Sequence, residues 1–314
     1  MAARLGAARR SVGFAHARVP DVLGQQLVNA LSLGCVYALF ALGFTLIFGV
    51  LGVINLSHGA VFMVGAYAAL QVVTKLGWPL WASLIAAFAI SAALGLAIDY
   101  FVLRPLRQRH APHLIPMIAT IGIAIFFNNA TQGVFGAENL RFPAELVPDE
   151  QLHFLGVQIS VLEVAIIAMS FALMAALLFV MRKTQLGRAL RAIAESPRAA
   201  ALLGINVEGL FYLTSATAAA LGGVSGVLIA LYSNAVFPLM GQPMLHKGIA
   251  VIILGGMGDI RGALIGGLFL GFAEVMSVAY IGSTMRDAVA FGLLFIVLLL
   301  RPQGMFGKVL ERKA

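Results

Sequence analysis

Residues 27–50 read LVNALSLGCVYALFALGFTLIFGV and contain no charged side chain. A helix of about 20 residues crosses the roughly 30 Å hydrocarbon core of a bilayer, so this stretch is long enough to span a membrane. Similar stretches predict further spans at about 57–75, 79–103, 114–136, 160–181, 210–232, 247–276 and 286–301. The sequence therefore predicts an all-α, polytopic transmembrane helix bundle of about eight spans, with one or two broken helices.

The composition of the rest of the chain supports this class. Hydrophobic residues make up 61% of the chain and charged residues only 11%, which is far from the balance of a soluble domain. The net charge of +8 comes from basic residues in short loops and at the ends, a pattern typical of membrane topology. A nucleic-acid partner would need those residues on one soluble face, so none is expected. The single cysteine, Cys35, leaves no disulfide framework.

Charge also divides the chain into a membrane domain and two tails. Residues 1–21 are predicted to be a basic cytoplasmic or disordered tail, 22–307 the transmembrane domain, and 308–314 a second basic tail. The basic loops at 104–113 and 182–208 and the basic C terminus should all be cytoplasmic. The acidic segment 137–160 fits the opposite side.

The predicted cytoplasmic positions conflict with the number of predicted spans. Three spans lie between the loop 182–208 and the C terminus, and an odd number of crossings from a cytoplasmic loop would place that terminus outside. A break of the segment 247–276 at Gly255–Gly262 into two half-spans removes the conflict. Near the N terminus the same problem has two solutions, a second break near Gly49–Gly59 or an external N terminus. Glycine-rich breaks at membrane depth are tolerated where protein or a water-filled cavity covers the backbone.

Several residues within the spans are candidates for a translocation pathway. Asn55 and His58 precede Gly59 in a polar cluster within an apolar stretch, and burying them without partners would cost several kcal/mol. The cluster is either a helix break that shapes the pathway or an inter-span turn near the headgroups, in which Asn55 or Ser57 caps the next helix. Glu274 lies in the middle of an apolar segment, where a carboxylate suggests a functional role, a pairing with a backbone donor or an ion pair with Arg286. The pathway candidates are Asn55, His58, Gly59, Gly255, Gly256, Gly258 and Glu274.

Three pairs of glycines are spaced four residues apart in the predicted spans. The pairs are Gly222 and Gly226, Gly262 and Gly266, and Gly267 and Gly271. Because small residues on one face let helix backbones approach, these pairs predict close helix packing.

The loop 182–208 carries signals for two short helices. Ser196 followed by Pro197 is typical of a helix start, since Ser caps the first turn and Pro tolerates the first helical position. Gly204 is a typical helix end. We predict helices at about 186–194 and 197–203. A connector with no other role would need neither the caps nor the small residues, whereas a docking partner would use both.

Motifs for catalysis or nucleotide binding do not occur in the sequence. There is no phosphate-binding Gly-x-x-x-x-Gly-Lys-[Ser/Thr], no His-Glu-x-x-His zinc motif and no Gly-x-Ser-x-Gly elbow. We therefore expect no catalytic residue, no metal site and no cofactor on this chain. Any energy from ATP must come from a separate protein.

Several stretches, in order, resemble a known family. They are 27–39, 54–59, 65–67, the loop 187–206, 254–258, 262–267, 273–274 and 301–304. Together they resemble branched-chain amino acid ABC-transporter permeases of the LivH type, over about residues 25–307. The family commonly has Asn-Phe-Ala-His-Gly where this chain has Asn-Leu-Ser-His-Gly at 55–59, and the basic N-terminal extension is additional.

The resemblance implies one permease subunit of an importer in the bacterial inner (cytoplasmic) membrane, with its C terminus in the cytoplasm. Its partners would be a second homologous permease, two ATP-binding cassette subunits and a periplasmic binding protein. It further implies that the loop couples to an ATPase subunit. The expected coupling residues are Gly187, Arg188, Arg191, Ala194, Glu195, Pro197 and Gly204. The alternatives are an ion-coupled secondary transporter, or an ABC permease for urea- or amide-type substrates.

Overall fold

The computed structural model describes residues 19–112, 114–143, 145, 150–154 and 157–307, and it is almost entirely helical. The tail 308–314 and most of the tail 1–21 lie outside these residues. The helices are α1 (Val19–Leu51), α2 (His58–Leu76), α3 (Leu80–Ile98), α4 (Arg104–Gln108), α5 (Leu114–Phe135), α6 (Val161–Lys183), α7 (Gln185–Glu195), α8 (Pro197–Leu202), α9 (Val207–Ser233), α10 (Gly241–Gly255), α11 (Ile260–Tyr280) and α12 (Arg286–Leu300). The strands β1 (Gln151–Phe154) and β2 (Val157–Ser160) form an antiparallel hairpin, in which Gln151 pairs with Ser160.

Eight helical segments of the described chain are long and apolar enough to cross a membrane. They confirm the prediction of a polytopic bundle of about eight spans. The segment predicted at 247–276 is broken, because α10 ends at Gly255 and α11 begins at Ile260. The two parts are not equal half-spans: α11 has 21 residues and could cross a bilayer alone, whereas α10 has 15.

The two ends of α1 define the two sides of the bundle. Near its start, the Gln25 side chain accepts a hydrogen bond from the backbone N–H of Gln158 in β2 (3.2 Å). At its other end, Gly49 lies beside Gly258 in the break between α10 and α11, and α1 also contacts α7. We call these the hairpin side and the coupling side. The α3–α4 end also lies on the coupling side, because Arg107 reaches Glu208 at the start of α9 (3.5 Å).

In the N-terminal part, α1 starts on the side opposite to the loop 182–208, and a break within the predicted range Gly49–Gly59 is also present. Most of the predicted N-terminal tail lies outside the described residues, so its cytoplasmic position stays a prediction. The chain is also non-helical between Leu51 and His58, and His58 lies beside Phe40, well inside α1. This segment therefore re-enters the bundle before α2 begins.

The core is built around α1, which packs most extensively against α11 and also contacts α6, α9 and α10. Close approach to α11 depends on glycine. A Cβ at Gly267 would lie 2.4 Å from the Cα of Ala38, and one at Gly271 would lie 2.4 Å from the Cα of Gly34. The pair Gly267 and Gly271 therefore gives the close helix packing that its spacing predicts, because the two helix backbones meet without side chains between them.

Candidate coupling face and translocation pathway

The two short helices predicted in the loop 182–208 are present and both are capped. Thr184 accepts a hydrogen bond from the N–H of Gly187 at the start of α7 (3.2 Å). Ser196 accepts one from the N–H of Ala199 at the start of α8, with Pro197 in the first turn (3.3 Å). After α8, Gly204 adopts a left-handed conformation with φ of 81°, which ends the helix. These caps make the loop an ordered structure on the coupling side.

One face of α7 fixes it to the bundle. Gly187, Leu190 and Ile193, each three residues from the next, are buried. A Cβ at Gly187 would lie 2.3 Å from the carbonyl oxygen of Met181, so only glycine lets α7 pack this closely on α6. The Arg191 guanidinium donates to that same carbonyl oxygen. Arg191, a predicted coupling residue, therefore binds the end of α6.

The rest of the loop points away from the bundle. Six of the seven predicted coupling residues are exposed, namely Arg188, Arg191, Ala194, Glu195, Pro197 and Gly204. Leu202 and Leu203, at the end of α8, are 89% and 79% exposed. Ala200 faces inward, and its carbonyl accepts from the N–H of Ile205 (3.1 Å), which ties α8 to the start of α9. Two adjacent leucines that are held out by an ordered helix are typical of a docking surface.

The break between α10 and α11 lies on the same side. Asp259 caps α11 by accepting from the N–H groups of Arg261 (2.7 Å) and Gly262 (3.2 Å). The C-terminal segment packs onto this break, where the N–H of Phe306 donates to the carbonyl of Gly255 (3.0 Å). The C-terminal segment, the break and the coupling loop thus share one face of the molecule.

A cavity of about 1370 Å³ lies at this face. It is enclosed by the end of α1, the α6–α7 corner, the α10–α11 break and the C-terminal segment. Arg191 and Ala194 from the coupling set and Gly258 from the pathway set line it. The structure therefore brings part of the predicted coupling loop and part of the predicted pathway to one cavity. The cavity lining does not include Asn55, His58, Gly59, Gly255, Gly256 or Glu274.

The polar cluster at 55–59 is buried among helices instead. The Asn55 carboxamide oxygen accepts from both the backbone N–H (3.1 Å) and the hydroxyl (2.5 Å) of Ser57. The backbone N–H of His58 donates to the carbonyl of Asn55 (3.2 Å). The cluster forms a turn, but this turn lies inside the protein and not at the headgroups, and the Ser57 side chain makes no cap on α2.

His58 and Gly59 bring α2 against three other helices. The fully buried His58 ring bonds the carbonyl oxygen of Phe40 through Nε2 (3.3 Å) and packs on the Phe40 ring, with centroids 4.6 Å apart. A Cβ at Gly222 of α9 would lie 2.7 Å from this ring, and one at Gly59 would lie 2.5 Å from the carbonyl oxygen of Gly241. Both residues therefore hold α2 against α1, α9 and α10.

Glu274 lies in a buried ion cluster. Its carboxylate is 0% exposed and accepts from Lys247 Nζ of α10 (2.7 Å) and from the Arg286 guanidinium at the start of α12. Lys247 also donates to the Tyr37 hydroxyl of α1 (2.9 Å) and lies 3.8 Å from the Asp287 carboxylate. Buried charges need such partners, because an isolated ion in this environment is very costly. The predicted pairing with Arg286 is thus present, together with a second cation.

The comparisons with known proteins agree with this architecture. The sequence profile of the family "Branched-chain amino acid transport system / permease component" matches residues 26–298. The chain belongs to this permease family. The permease is 36% identical to the high-affinity branched-chain amino acid transport system permease protein LivH of Escherichia coli K12, over 90% of this chain and 95% of that protein. It is 38% identical to the permease protein BraD of Pseudomonas aeruginosa, over the same shares.

More distant members are similar over most of their length. The probable LivH of Methanocaldococcus jannaschii is 30% identical over 92% of this chain and 88% of that protein. No solved structure matches the permease. These comparisons confirm the family assignment that the sequence motifs predicted.

Two features of the permease were not predicted from the sequence. Leu202 and Leu203 are large apolar residues that are exposed at the end of α8. The sequence does contain a signal for them, since two leucines stand in a polar loop with no hydrophobic repeat to bury them. Lys247 gave a weaker signal as the one cation near the start of an apolar segment. Its pairing with Glu274 depends on the packing of α10 on α11, which the sequence does not specify.

Proposed function

We propose that this chain is one permease subunit of an ATP-driven importer that moves branched-chain amino acids across the bacterial inner membrane. The observation that carries this proposal is α8, a capped helix that presents Leu202 and Leu203 to solvent on the coupling side. The family membership supports the transport role. A second homologous permease, two ATP-binding cassette subunits and a periplasmic binding protein would complete the importer.

In this proposal α8 and the exposed part of α7 dock into a groove of the ATPase subunit. An exposed leucine pair on a loop that also exposes Arg188, Glu195 and Arg198 suits a groove with an apolar floor and a polar rim. Closure of the ATPase dimer would then move the loop. Since α7 is fixed on α6 and α8 is tied to α9, this movement reaches two spans at once. Alternating access follows if these spans rock around the pathway.

The coupling side is assigned to the cytoplasm by its charge. Arg182, Lys183, Arg188 and Arg191 lie on it within the loop, and Arg104, Arg107 and Arg109 lie on it after α3. Short basic loops remain on the cytoplasmic side during insertion. Residues 302–307 pack on the same face, which supports a cytoplasmic C terminus and a periplasmic start of α1 in this proposal.

Leucine, isoleucine and valine are the proposed substrates because the relatives with the highest identity among those compared are named for branched-chain amino acids. Urea- or amide-type substrates are the alternative for an ABC permease. An ion-coupled secondary transporter is disfavoured by the Glu274 cluster. Its one deep carboxylate is already paired with two cations, Lys247 and Arg286, and is not free to bind a coupling ion.

The proposal is tested by purifying the tagged permease from its native membrane and identifying its partners. We expect the ATPase subunits and a second permease to co-purify. In the double variant Leu202→Ser/Leu203→Ser the second permease should remain and the ATPase subunits should be lost. Leu239→Ser is the matched control, since Leu239 is 47% exposed and follows α9 toward the hairpin side. Recovery of the wild-type chain alone would contradict the proposal.

A further inference from the structure

The end of α3 contains a buried ion cluster that touches the first turn of α9. Asp99 is 0% exposed, and both of its oxygens accept from the Arg107 guanidinium, at 2.6 Å and 3.1 Å. The same guanidinium reaches the Glu208 carboxylate (3.5 Å) and lies 4.6 Å from the Phe211 ring centroid. We call Asp99, Arg107 and Glu208 the Arg107 cluster.

A local irregularity in the helix makes this cluster possible. The chain runs from α3 into α4 through a π-helical turn, Asp99–Leu103, in which the N–H of Arg104 donates to the carbonyl of Asp99. Arg107 follows Asp99 by eight positions. In a regular α-helix this separation would put the two side chains about 80° apart around the helix axis. One extra residue in the turn brings the two to nearly the same face. The Arg107 side chain can then lean back toward the N terminus and reach the carboxylate.

The cluster lies next to the coupling loop, because Glu208 is in the helix that directly follows it. Glu208 is in the first turn of α9, two residues after Asn206, whose side chain caps that helix by accepting from the N–H of Gly209 (3.0 Å). Immediately before it, Ile205 donates to Ala200 in α8 (3.1 Å). A displacement of α8 therefore passes to the first turn of α9, and from there to Arg107 and Asp99.

Beyond the cluster, α3 and α9 pack with their backbones close together. A Cβ at Gly95 of α3 would lie 2.2 Å from the Cβ of Ala219, and one at Gly223 of α9 would lie 1.8 Å from the Ser91 hydroxyl. This packing extends from the coupling side into the bundle. The two helices are therefore joined along their length by packing and at the coupling end by charge.

We infer that the Arg107 cluster locks α3 to α9, so that the coupling loop moves both helices as one body. Arg107 is then a positioning residue: it touches neither ATP nor substrate but carries loop movement into α3. This inference rests on the proposed function, since it names how the coupling loop reaches the pathway.

The first test uses the complete importer in proteoliposomes and measures substrate taken up per ATP hydrolysed. Glu208→Gln and Asp99→Asn keep the side-chain shape and remove one charge of the cluster. We expect each to lower the uptake-to-ATP ratio, about two- to thirtyfold, while ATP hydrolysis continues. Arg109→Gln is the matched control: Arg109 is exposed on the same loop and makes no ion pair with a described residue. A wild-type ratio in both cluster variants would overturn the inference.

A second test is independent of whether those variants assemble fully. Arg104 and Glu208 lie 3.9 Å apart at their charged ends, and the native Cys35 is fully buried. The double variant Arg104→Cys/Glu208→Cys should have a low uptake-to-ATP ratio, and a short bifunctional thiol reagent should restore it by reconnecting the helices. Cross-linking without any recovery would overturn the inference. Failure of ATP-dependent uptake in the wild type would instead contradict the proposed function, whatever the variants do.

Discussion

At the scale of single residues, the permease keeps ionised groups inside the bundle only where they are compensated. Glu274 faces Lys247 and Arg286, and Asp99 faces Arg107 with two hydrogen bonds. Pairs of this kind add little net stability relative to apolar residues, but removal of one partner leaves the other charge unpaired. These buried ion pairs therefore contribute mainly by determining which helices pack together.

Glu274→Gln should destabilise the purified permease because it removes the buried carboxylate between Lys247 and Arg286 and leaves only the exposed Asp287 carboxylate near Lys247. We expect a loss of about 3 kcal/mol in the free energy of unfolding, measured as a lower thermal midpoint in detergent. Asp287→Asn is the control. This carboxylate is 69% exposed and 3.8 Å from Lys247, so its removal should cost less than about 1 kcal/mol. Equal midpoints for Glu274→Gln and the wild type would contradict this role.

Sequence reasoning found some of these residues and missed others for a physical reason. The caps Ser196 and Pro197 and the stop at Gly204 act over two or three residues, so the local sequence is enough to predict them. Glu274 was identified as a deep carboxylate, but its partner Lys247 is 27 residues away on another helix. The π-helical turn at Asp99 was not predicted, because its advantage depends on a contact with α9.

At the scale of helices, close contact through glycine decides the arrangement around α1. The α1–α11 contact has no room for a side chain at Gly267, where a Cβ would meet the Ala38 backbone at 2.4 Å. Gly267→Ala should therefore force the two helices apart, with an overpacking cost of about 1–3 kcal/mol. The measurement is the fraction of monodisperse protein after heating.

Gly122→Ala provides the comparison for that variant. Gly122 lies on an exposed face of α5 and a Cβ there would meet no other atom within 4 Å. This substitution should leave the thermal behaviour unchanged or slightly improved, since alanine favours a helix more than glycine does. If both alanine variants behaved alike, the α1–α11 contact would not depend on glycine.

The apolar runs of the sequence predicted some features of the helix arrangement and not others. Their lengths predicted the spans, and the glycines at 255–262 predicted the break between α10 and α11. A break near Gly49–Gly59 was one of the two solutions that the sequence left open, but the sequence did not indicate that this break places His58 beside Phe40. A polar cluster between apolar runs is compatible with a turn at the headgroups, and only the packing of α1, α2 and α9 places it inside.

At the scale of the whole molecule, the two sides of the bundle can be tested directly. Cys35 is fully buried, so a membrane-impermeant thiol reagent should report only introduced cysteines. Arg198→Cys and Gln303→Cys, on the coupling side, should react in inside-out vesicles and not in intact spheroplasts. Gln158→Cys and Ser233→Cys, on the hairpin side, should show the reverse. Labelling of Gln158→Cys and Arg198→Cys from the same side would contradict the arrangement.

The central claim is that α8 joins this permease to an ATPase that drives amino acid import. The most direct measurement is the uptake of labelled leucine by proteoliposomes that contain the purified importer and its binding protein. We predict that uptake requires ATP and is abolished by Leu202→Ser/Leu203→Ser, while the Leu239→Ser control remains active. Leucine uptake by the permease alone, driven by an ion gradient and unaffected by ATP or by the α8 variant, would contradict the claim.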